Sequence, residues 1–327
     1  MDARPDTIKN IGSYYGIDAQ KLQRHYKHKV SKFKDWSQLA HAEQYLIFAE
    51  NVTEHLSIDE VSLSKGELYT FVTNKRVGQK NKNCIVAVIN GTEASVIEAV
   101  LAKIPIEKRL QVKEVSMDMA RNMNLAVVKS FPGAKIVIDR FHVVRLVMDA
   151  MQHLRVKLRF KAIEDQNNAL QQAKEKGEKY SPIILSNGDT IKELLVRCQY
   201  LLYVHKEDWT ANQAKRAAIL FELFPMIQQA YKLTIAFRNI YKNLSMENAL
   251  QQFQEWKVAV QDSKLEEFNT TVNSLQYHLD NILNFFINKS TNANAESFNA
   301  KIKNFRANLR GVTDVKFFLF RLHKLFS

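Results

Sequence analysis

The chain has 327 residues and a formal net charge of +13, with 46% hydrophobic and 25% charged residues. This composition is that of a globular protein, and the basic excess favours a polyanionic partner, most simply nucleic acid. No apolar run approaches the roughly 18 residues of a membrane span, and residues 1–10 hold no signal core, so we expect no membrane partner and a cytoplasmic, nucleoid-associated location. Cys84 and Cys198 are too few for a disulfide framework or a CxxC zinc site.

Residues 1–50 are predicted to form a basic helical segment that is helix-turn-helix-like. A first helix covers 7–15, Gly16 breaks it, and Asp18 is placed to cap a second helix over 19–33. Two interpretations remain open, because the second helix could contact DNA or could be a solvated basic helix packed on the domain behind it. Its basic residues are Lys21, Arg24, Lys27, Lys29, Lys32 and Lys34.

From residue 55 the apolar period changes from that of a helix to that of a strand. Three strands joined by short links, the first of them the turn at Lys65-Gly66, are followed by two strand–helix–strand crossovers. This order predicts an α/β fold with a ribonuclease H-like mixed sheet, antiparallel first and then parallel. The predicted strands cover 55–63, 67–74, 83–90, 112–117 and 135–138, and the predicted helices between them cover 93–104 and 120–130.

The strand signal stops at Asp139, and the pattern beyond it is helical. We assign 51–159 to the first part of the catalytic core, 160–288 to a large all-helical insertion, and 289–327 to a C-terminal helix that completes the core. A long helix is predicted over 141–172. Its basic residues are Arg145, Arg155, Lys157, Arg159 and Lys161.

The last predicted helix has two distinct faces. On one face, Glu296 heads a row of largely basic side chains, which is unusual for a solvated helix. The arrangement fits a carboxylate that holds a metal ion at the start of a phosphate-binding row. The row continues through Asn299, Lys303, Arg306 and Arg310, and the neighbouring apolar face consists of Phe298, Ile302, Phe305 and Leu309.

Two aspartates are expected to meet in such a sheet, because its first strand and the end of its fourth strand are neighbours. These are Asp59 and Asp118, and the last helix would bring Glu296 to the same edge. Three converging carboxylates repel one another unless divalent cations neutralise them, and oxygen ligands suit Mg²⁺. Two such ions about 4 Å apart can activate a water or a 3′-hydroxyl for in-line displacement.

Each acid also has an ordinary structural interpretation. Asp59 could be an edge or turn residue, although its apolar neighbours argue for a buried context, and Asp118 could cap the following helix. Asp139 could be a cap or a supporting metal ligand. His142 could contact a phosphate or simply pack at the start of the long helix.

Three motifs resemble insertion-sequence transposases of the ISL3 group in the DDE superfamily. The first is SIDE at 57–60, and the second is SMDM at 116–119 followed by FPGAKIVIDRFHV at 131–143. The third is NAESFNAKIK at 294–303. The similarity covers residue 55 to the end. The D-R-F-H and A-E-x-F-N-x-K-I-K segments are each fairly specific, and in this order they are strong together.

The resemblance implies Mg²⁺-dependent cleavage at transposon ends and joining of the freed 3′-hydroxyl to target DNA. Two Mg²⁺ ions are expected, for which Mn²⁺ can substitute. The implied catalytic and metal-binding triad is Asp59, Asp118 and Glu296. Supporting positions within the D-R-F-H run are assigned to Asp139, Arg140 and His142.

DNA is the expected partner, both as transposon end and as target, and joining two ends favours a homodimer or higher assembly on DNA. Members of the group often carry a cysteine-rich zinc segment ahead of the core, which two isolated cysteines cannot form, so a companion DNA-binding protein could supply end recognition. Basic side chains would neutralise phosphates without reading the base sequence. The predicted DNA contacts are Lys21, Arg24, Lys27, Arg145, Arg155, Arg159, Asn299, Lys303, Arg306 and Arg310.

Two other functions remain open. A ribonuclease H-like nuclease would cleave DNA without strand transfer, and a transposase-derived DNA-binding regulator would keep the fold and the charge without catalysis. The regulator is disfavoured, because a non-catalytic descendant has no reason to retain three mutually repelling acids.

Overall fold

The computed structural model describes residues 6–64, 66–75, 84–309 and 311–327. The chain forms two compact units, the first made of Met1–Asp139 with Asn288–Ser327 and the second of Arg140–Ile287. The second unit begins upstream of the predicted boundary at residue 160, because one unbroken helix starts at Arg140. Three residues that carry sequence predictions lie outside the described residues: Lys65, Asn83 and Arg310.

The N-terminal segment begins with helices α1 (Ile8–Tyr15) and α2 (Ala19–His25). Gly16 ends α1 at φ 65°, a left-handed backbone that glycine adopts without a Cβ clash. The second helix is shorter than predicted, since the chain continues as a π-helical turn over Tyr26–Val30. Tyr26 and Phe33 are buried in the core of the first unit, so the segment after α2 packs on the domain behind it.

Six strands in the described residues form one mixed sheet: β1 (Tyr45–Ile47), β2 (His55–Ser64), β3 (Glu67–Asn74), β4 (Ile85–Asn90), β5 (Glu114–Met117) and β6 (Lys135–Ile138). Their order in the sheet is β1-β4-β3-β2-β5-β6. β3 is antiparallel to β2 and β4, whereas β5 is parallel to β2 and β6, which confirms an α/β fold with a mixed sheet. β1 was not predicted, because three residues are too few to reveal a strand period.

Three helices follow within the chain between β4 and β6: α3 (Ala94–Leu101), α4 (Ile106–Leu110) and α5 (Arg121–Ser130). α3 packs against α5 and against β4. Ile97 and Leu101 of α3 and Met123 and Val127 of α5 are fully buried, so these helices bury apolar side chains beside the sheet. α5 begins directly after the strand that ends near Asp118, as the sequence predicts.

The second unit consists of helices joined by turns: α6 (Arg140–Glu175), α7 (Ile191–Arg197), α8 (Ala211–Leu223), α9 (Pro225–Ile240), α10 (Met246–Ser263), α11 (Asn269–Tyr277), α12 (Leu279–Leu283) and α13 (Phe285–Asn288). Capping boxes at Thr190 and Thr210 start α7 and α8. The Trp256 indole is buried and donates from Nε1 to the Leu233 carbonyl at 2.9 Å. None of the described helices combines the length and the apolar character that a bilayer crossing demands.

The chain then returns to the sheet with α14 (Ala293–Asn308) and α15 (Val315–Phe326). Phe298, Ile302 and Phe305 of α14 are buried, which confirms the predicted apolar face, and Leu309 is half-buried. The rings of Phe298 and Phe71 lie 6.0 Å apart, so α14 covers the face of the sheet on which β3 presents Phe71.

Candidate metal centre

The parallel pairing of β2 with β5 aligns two of the predicted acids. Ser57 lies opposite Ser116 in the ladder. Extending this register by two residues sets Asp59 opposite Asp118. Because neighbouring strands lie about 4.8 Å apart, the two aspartates are adjacent at the same end of the sheet.

A third aspartate, Asp139, follows β6 and lies beside Asp118. Met117 lies opposite Ile138, so the next residues, Asp118 and Asp139, are also neighbours. The backbone N–H of Asp139 donates to the Met117 carbonyl at 2.8 Å, which holds this pairing at the strand end. We call Asp59, Asp118 and Asp139 the acid row.

The acid row lies on the sheet face that the segment leading into α14 covers. Side chains alternate along a strand, so Ser57 shares a face with Asp59, and Ser116 shares it with Asp118. The two serine Oγ atoms are 3.1 Å apart, and Ser116 Oγ donates to the Asn292 Oδ1 atom at 2.7 Å. The residue that precedes α14 is therefore tied to the polar part of this face.

Glu296 comes to the acid row from the first turn of α14. Its side chain is exposed, whereas Asp139 is buried. A carboxylate oxygen of Asp139 and one of Glu296 lie within 4.8 Å of each other. The Asn292 backbone N–H donates to Asp139 Oδ1 at 3.5 Å. Among the described residues, the first unit therefore sets three aspartates on adjacent strands and brings Glu296 close to one of them, Asp139. Carboxylate oxygens are ligands that divalent cations take.

Asp59 and Asp118 are both held by hydrogen bonds. Asp59 Oδ1 accepts the Glu60 backbone N–H at 2.8 Å, and Asp59 Oδ2 accepts the Asn299 side-chain amide at 2.6 Å. Asp118 Oδ1 accepts the Ala120 backbone N–H at 2.8 Å, so Asp118 also organises the turn before α5. Asp118 is not the N-cap of α5, which is Ala120, but it shapes the turn that leads into the helix.

The Glu60 carboxyl lies in the negative electrostatic potential of the acid row. Burial raises the pKa of the Glu60 carboxyl, and the charges of Asp118 and Asp59 raise it further. A carboxyl whose ionisation is opposed by neighbouring carboxylates lies where a cation would be attracted.

The predicted DNA contacts have different environments. Some are exposed: Lys21, Arg24, Arg145 and Lys303. Lys27 forms an ion pair with Asp314 and lies over the Phe317 ring, so it helps to pack the N-terminal segment. Arg306 is half-buried, and its Nη1 atom donates to the Ser62 carbonyl at 2.8 Å.

Two predicted contacts do not fit a surface role. Arg155 is 4% exposed. Its guanidinium donates to Gln152 Oε1 at 2.6 Å and to the Leu195 carbonyl at 2.7 Å, so it forms hydrogen bonds inside the second unit. Asn299 is 6% exposed and donates to Asp59 instead of facing solvent. Helical periodicity alone could not separate these buried polar residues from exposed ones.

The remaining predicted site residues lie on α6. Arg140 places its guanidinium over the rings of Tyr241 and Phe285, each at 6.0 Å. His142 is half-buried, and its ring makes an edge contact with Phe141. Arg159 is also half-buried, and its Nε atom is buried without a hydrogen-bond partner.

A buried ion pair that the sequence analysis missed lies on the same sheet face as the acid row. Lys75 Nζ lies 3.4 Å from Glu114 Oε1 and donates to Ser290 Oγ at 2.7 Å, and Asn288 donates to Glu114 Oε2 at 3.1 Å. We call Lys75, Glu114, Asn288 and Ser290 the return anchor, since it holds the chain that leads to α14. The alternation of Glu114, Ser116 and Asp118 with apolar residues was the available signal.

The fold and the site together define an α/β protein whose mixed sheet sets carboxylates side by side on adjacent parallel strands. The chain belongs to the ISL3 family of transposases, since the family model described as "Transposase" matches residues 56–322. It is similar to the transposase for insertion sequence element IS1001 of Bordetella parapertussis, with 22% identity over 274 residues, which are 84% of this chain. The match covers 61% of that relative, so the chain spans less than two thirds of its length.

Proposed function

We propose that this protein is a DDE transposase that cleaves DNA at transposon ends and transfers the freed 3′-hydroxyl to target DNA. The observation that carries the proposal is the acid row, with Glu296 beside its Asp139, in a chain that belongs to a transposase family. The first unit would then be a ribonuclease H-like core. The order β4-β3-β2-β5-β6, with three antiparallel strands followed by two parallel ones, supports this assignment.

The donor set of the site fits Mg²⁺, because carboxylate oxygens are the hard ligands that this ion takes. Asp59, Asp118 and Glu296 would hold two ions, with Asp139 as a supporting carboxylate. Mn²⁺, which accepts the same ligands, would substitute. When bound, such a pair of ions activates a water or a 3′-hydroxyl and stabilises the leaving oxygen of an in-line displacement.

The protein's own contribution is to hold these oxygens in place. The Glu60 backbone and the Asn299 amide fix Asp59, while the Ala120 backbone fixes Asp118. Asn292 ties the start of α14 to β5, which keeps Glu296 near the strand ends. Under this proposal no serine or cysteine of the chain acts as a nucleophile. The supporting roles of Arg140 and His142 stay a prediction from the sequence.

DNA is the proposed partner, both as transposon end and as target, and pairing two ends favours a homodimer or larger assembly on DNA. A companion DNA-binding protein could contribute end recognition in the cytoplasm. The exposed basic residues would contact phosphates, whereas Lys27, Arg155 and Asn299 are engaged within the protein. Neutralised phosphates release counterions, so binding should weaken as salt rises.

Lys303 offers a test of the phosphate-binding row on α14. Its side chain is exposed two turns beyond Glu296. Lys303→Ala is expected to weaken binding to DNA of any sequence and to reduce the slope of log affinity against log salt by about 1. Lys301→Ala is the matched control, because Lys301 is also exposed but lies on nearly the opposite side of the helix. Equal losses in both variants, measured by fluorescence anisotropy, would show that the row has no special role.

The proposed activity is tested on a DNA fragment that carries the sequences flanking this gene. The protein is expected to cut at the element boundaries and to form joined products with Mg²⁺ or Mn²⁺, and neither with EDTA. A fragment with scrambled flanks is the control. Cleavage without joined products would support a nuclease instead. DNA binding without cleavage under all metal conditions would support a non-catalytic regulator.

A further inference from the structure

Asn299 is buried, whereas the predicted basic row would place it at a DNA-contacting surface. It lies on α14, one turn beyond Glu296, and only 6% of its surface is exposed. Its Nδ2 atom donates to Asp59 Oδ2 at 2.6 Å. The short distance and the burial indicate that this amide is part of the acid row's immediate surroundings.

Both carboxylate oxygens of Asp59 accept hydrogen bonds. Oδ1 accepts the Glu60 backbone N–H at 2.8 Å, and Oδ2 accepts the Asn299 amide. A carboxylate oxygen has two lone pairs, so an oxygen that accepts a hydrogen bond can also be a metal ligand. With both oxygens held by hydrogen bonds, the carboxylate has little freedom to rotate. Binding a cation then costs less conformational entropy.

The chemical nature of the donor matters as well. A lysine or arginine at this position would pair with Asp59 and cancel the negative charge that attracts a cation. An amide carries no net charge, so it orients the carboxylate and leaves its charge in place. Carboxylates that ligate metals are commonly held by hydrogen bonds of this kind from neighbouring residues.

The same helix carries both Glu296 and the amide that holds Asp59. The buried side chains of Phe298 and Ile302 fix α14 against the sheet, so the helix moves as one body. The Asn299–Asp59 hydrogen bond therefore links a carboxylate on β2 to the helix that carries Glu296. Loss of the amide would break this link and leave Asp59 freer to rotate.

We propose that Asn299 is a positioning residue that orients Asp59 and couples it to Glu296 for divalent-cation binding. This inference rests on the proposed function, since it needs a metal site formed by these carboxylates. It replaces the sequence prediction that Asn299 contacts DNA.

The experiment measures Mn²⁺ binding to the DNA-free protein by isothermal titration calorimetry, alongside DNA affinity in EDTA. Asn299→Ala is expected to raise the Mn²⁺ dissociation constant about 10- to 100-fold, as is typical when a group that supports a metal ligand is lost. DNA affinity in EDTA should stay the same for Asn299→Ala.

Asn304→Ala is the matched control, since Asn304 is an exposed asparagine on the same helix. Circular dichroism and thermal unfolding verify that each variant is folded. In cleavage assays, Asn299→Ala should need more Mg²⁺ for half-maximal rate, and saturating Mg²⁺ should restore most of that rate.

The outcomes separate this inference from the proposed function. If the unaltered protein binds Mn²⁺ and Asp59→Asn abolishes this, but Asn299→Ala titrates like the unaltered protein, the positioning role is wrong and the metal site stands. If Asn299→Ala loses DNA affinity in EDTA while its Mn²⁺ titration is unchanged, Asn299 is a DNA contact and the inference is overturned. If the unaltered protein neither binds Mn²⁺ nor cleaves DNA, the proposed function and this inference fall together.

Discussion

Asp59→Asn, Asp118→Asn and Glu296→Gln are each expected to slow strand cleavage about a thousandfold or more while DNA binding persists. Each change keeps the shape of the side chain and removes the charge that binds a cation. Losing several kcal/mol of transition-state stabilisation has this effect, since each loss of about 1.4 kcal/mol costs a factor of ten. Removing a negative charge beside DNA also lowers repulsion, so affinity in EDTA should hold steady or rise.

The matched controls are exposed acids of the first unit that lie outside the site. Asp35→Asn and Glu107→Gln make the same chemical changes at such positions and should leave cleavage unaltered. The measurement is single-turnover cleavage of end-bearing DNA at saturating Mg²⁺. Cleavage that survives in all three site variants would show that the triad assignment is wrong. Loss in only two of them would show that the third acid has a structural role.

The order of strands was predictable because each strand carries its own local signal. Alternating apolar residues, short links and the turn residues before β6 identify β2 to β6 without reference to contacts. The apolar stripe of α14 was predictable for the same reason, since burial of Phe298, Ile302 and Phe305 follows from helical spacing. β1 was missed because its three residues are too few for a period to be visible.

The positions of the acids were predictable from topology, but their polar neighbours were not. Residues in register on adjacent parallel strands must lie close together, which is why Asp59 on the first predicted strand could be paired with Asp118 at the end of the fourth. The burial of Asn299 and Arg155 could not be predicted, because a helical pattern does not tell which polar residue turns inward. That choice depends on a partner far along the chain, such as Asp59, 240 residues before Asn299.

The return anchor was missed because its partners also lie far apart along the chain. Its contacts hold the segment that leads to Glu296 against the sheet. Glu114 precedes Asp118 by two pleats on β5, and its partners Asn288 and Ser290 precede Glu296 on the chain. The face of β5 is thus bound at one end by the return anchor and at the middle by Asn292. These contacts set where α14 starts and hence where Glu296 lies.

Lys75→Met is expected to lower the free energy of unfolding by about 3–5 kcal/mol, because it removes the buried cation beside the Glu114 carboxylate. Glu114 then keeps its hydrogen bond from Asn288 and the half-buried His55, whose Nδ1 atom lies 3.7 Å away. The side chains of Lys75 and Glu114 are 8% and 4% exposed. Burial lowers the pKa of Lys75, and the Glu114 charge opposes that shift. Lys113→Met is the matched control, because Lys113 pairs with Glu54 at an exposed site, where an ion pair contributes little. Denaturant unfolding at neutral pH measures both.

The double variant Lys75→Met/Glu114→Met distinguishes a charge effect from a packing effect. It is expected to be more stable than Lys75→Met alone, since replacing both partners leaves no unpaired buried charge. If the double variant instead loses the sum of the single losses, the two residues act independently and the ion pair is not the source of the stability.

Low pH is expected to weaken the return anchor, because Glu114 becomes protonated. Burial alone would raise the pKa of Glu114, but hydrogen bonds from Ser290 and Asn288 and the charge of Lys75 outweigh it and lower the pKa below the ordinary 4.5. The unfolded carboxyl therefore takes up a proton at a higher pH than the folded one. The stability that Glu114 contributes is full above about pH 4.5 and is lost as the pH falls through the folded pKa. Lys75→Met removes one cause of the lowered pKa, so unfolding of this variant should depend less on pH across that acid range. A steeper dependence than in the unaltered protein would contradict this account of the anchor.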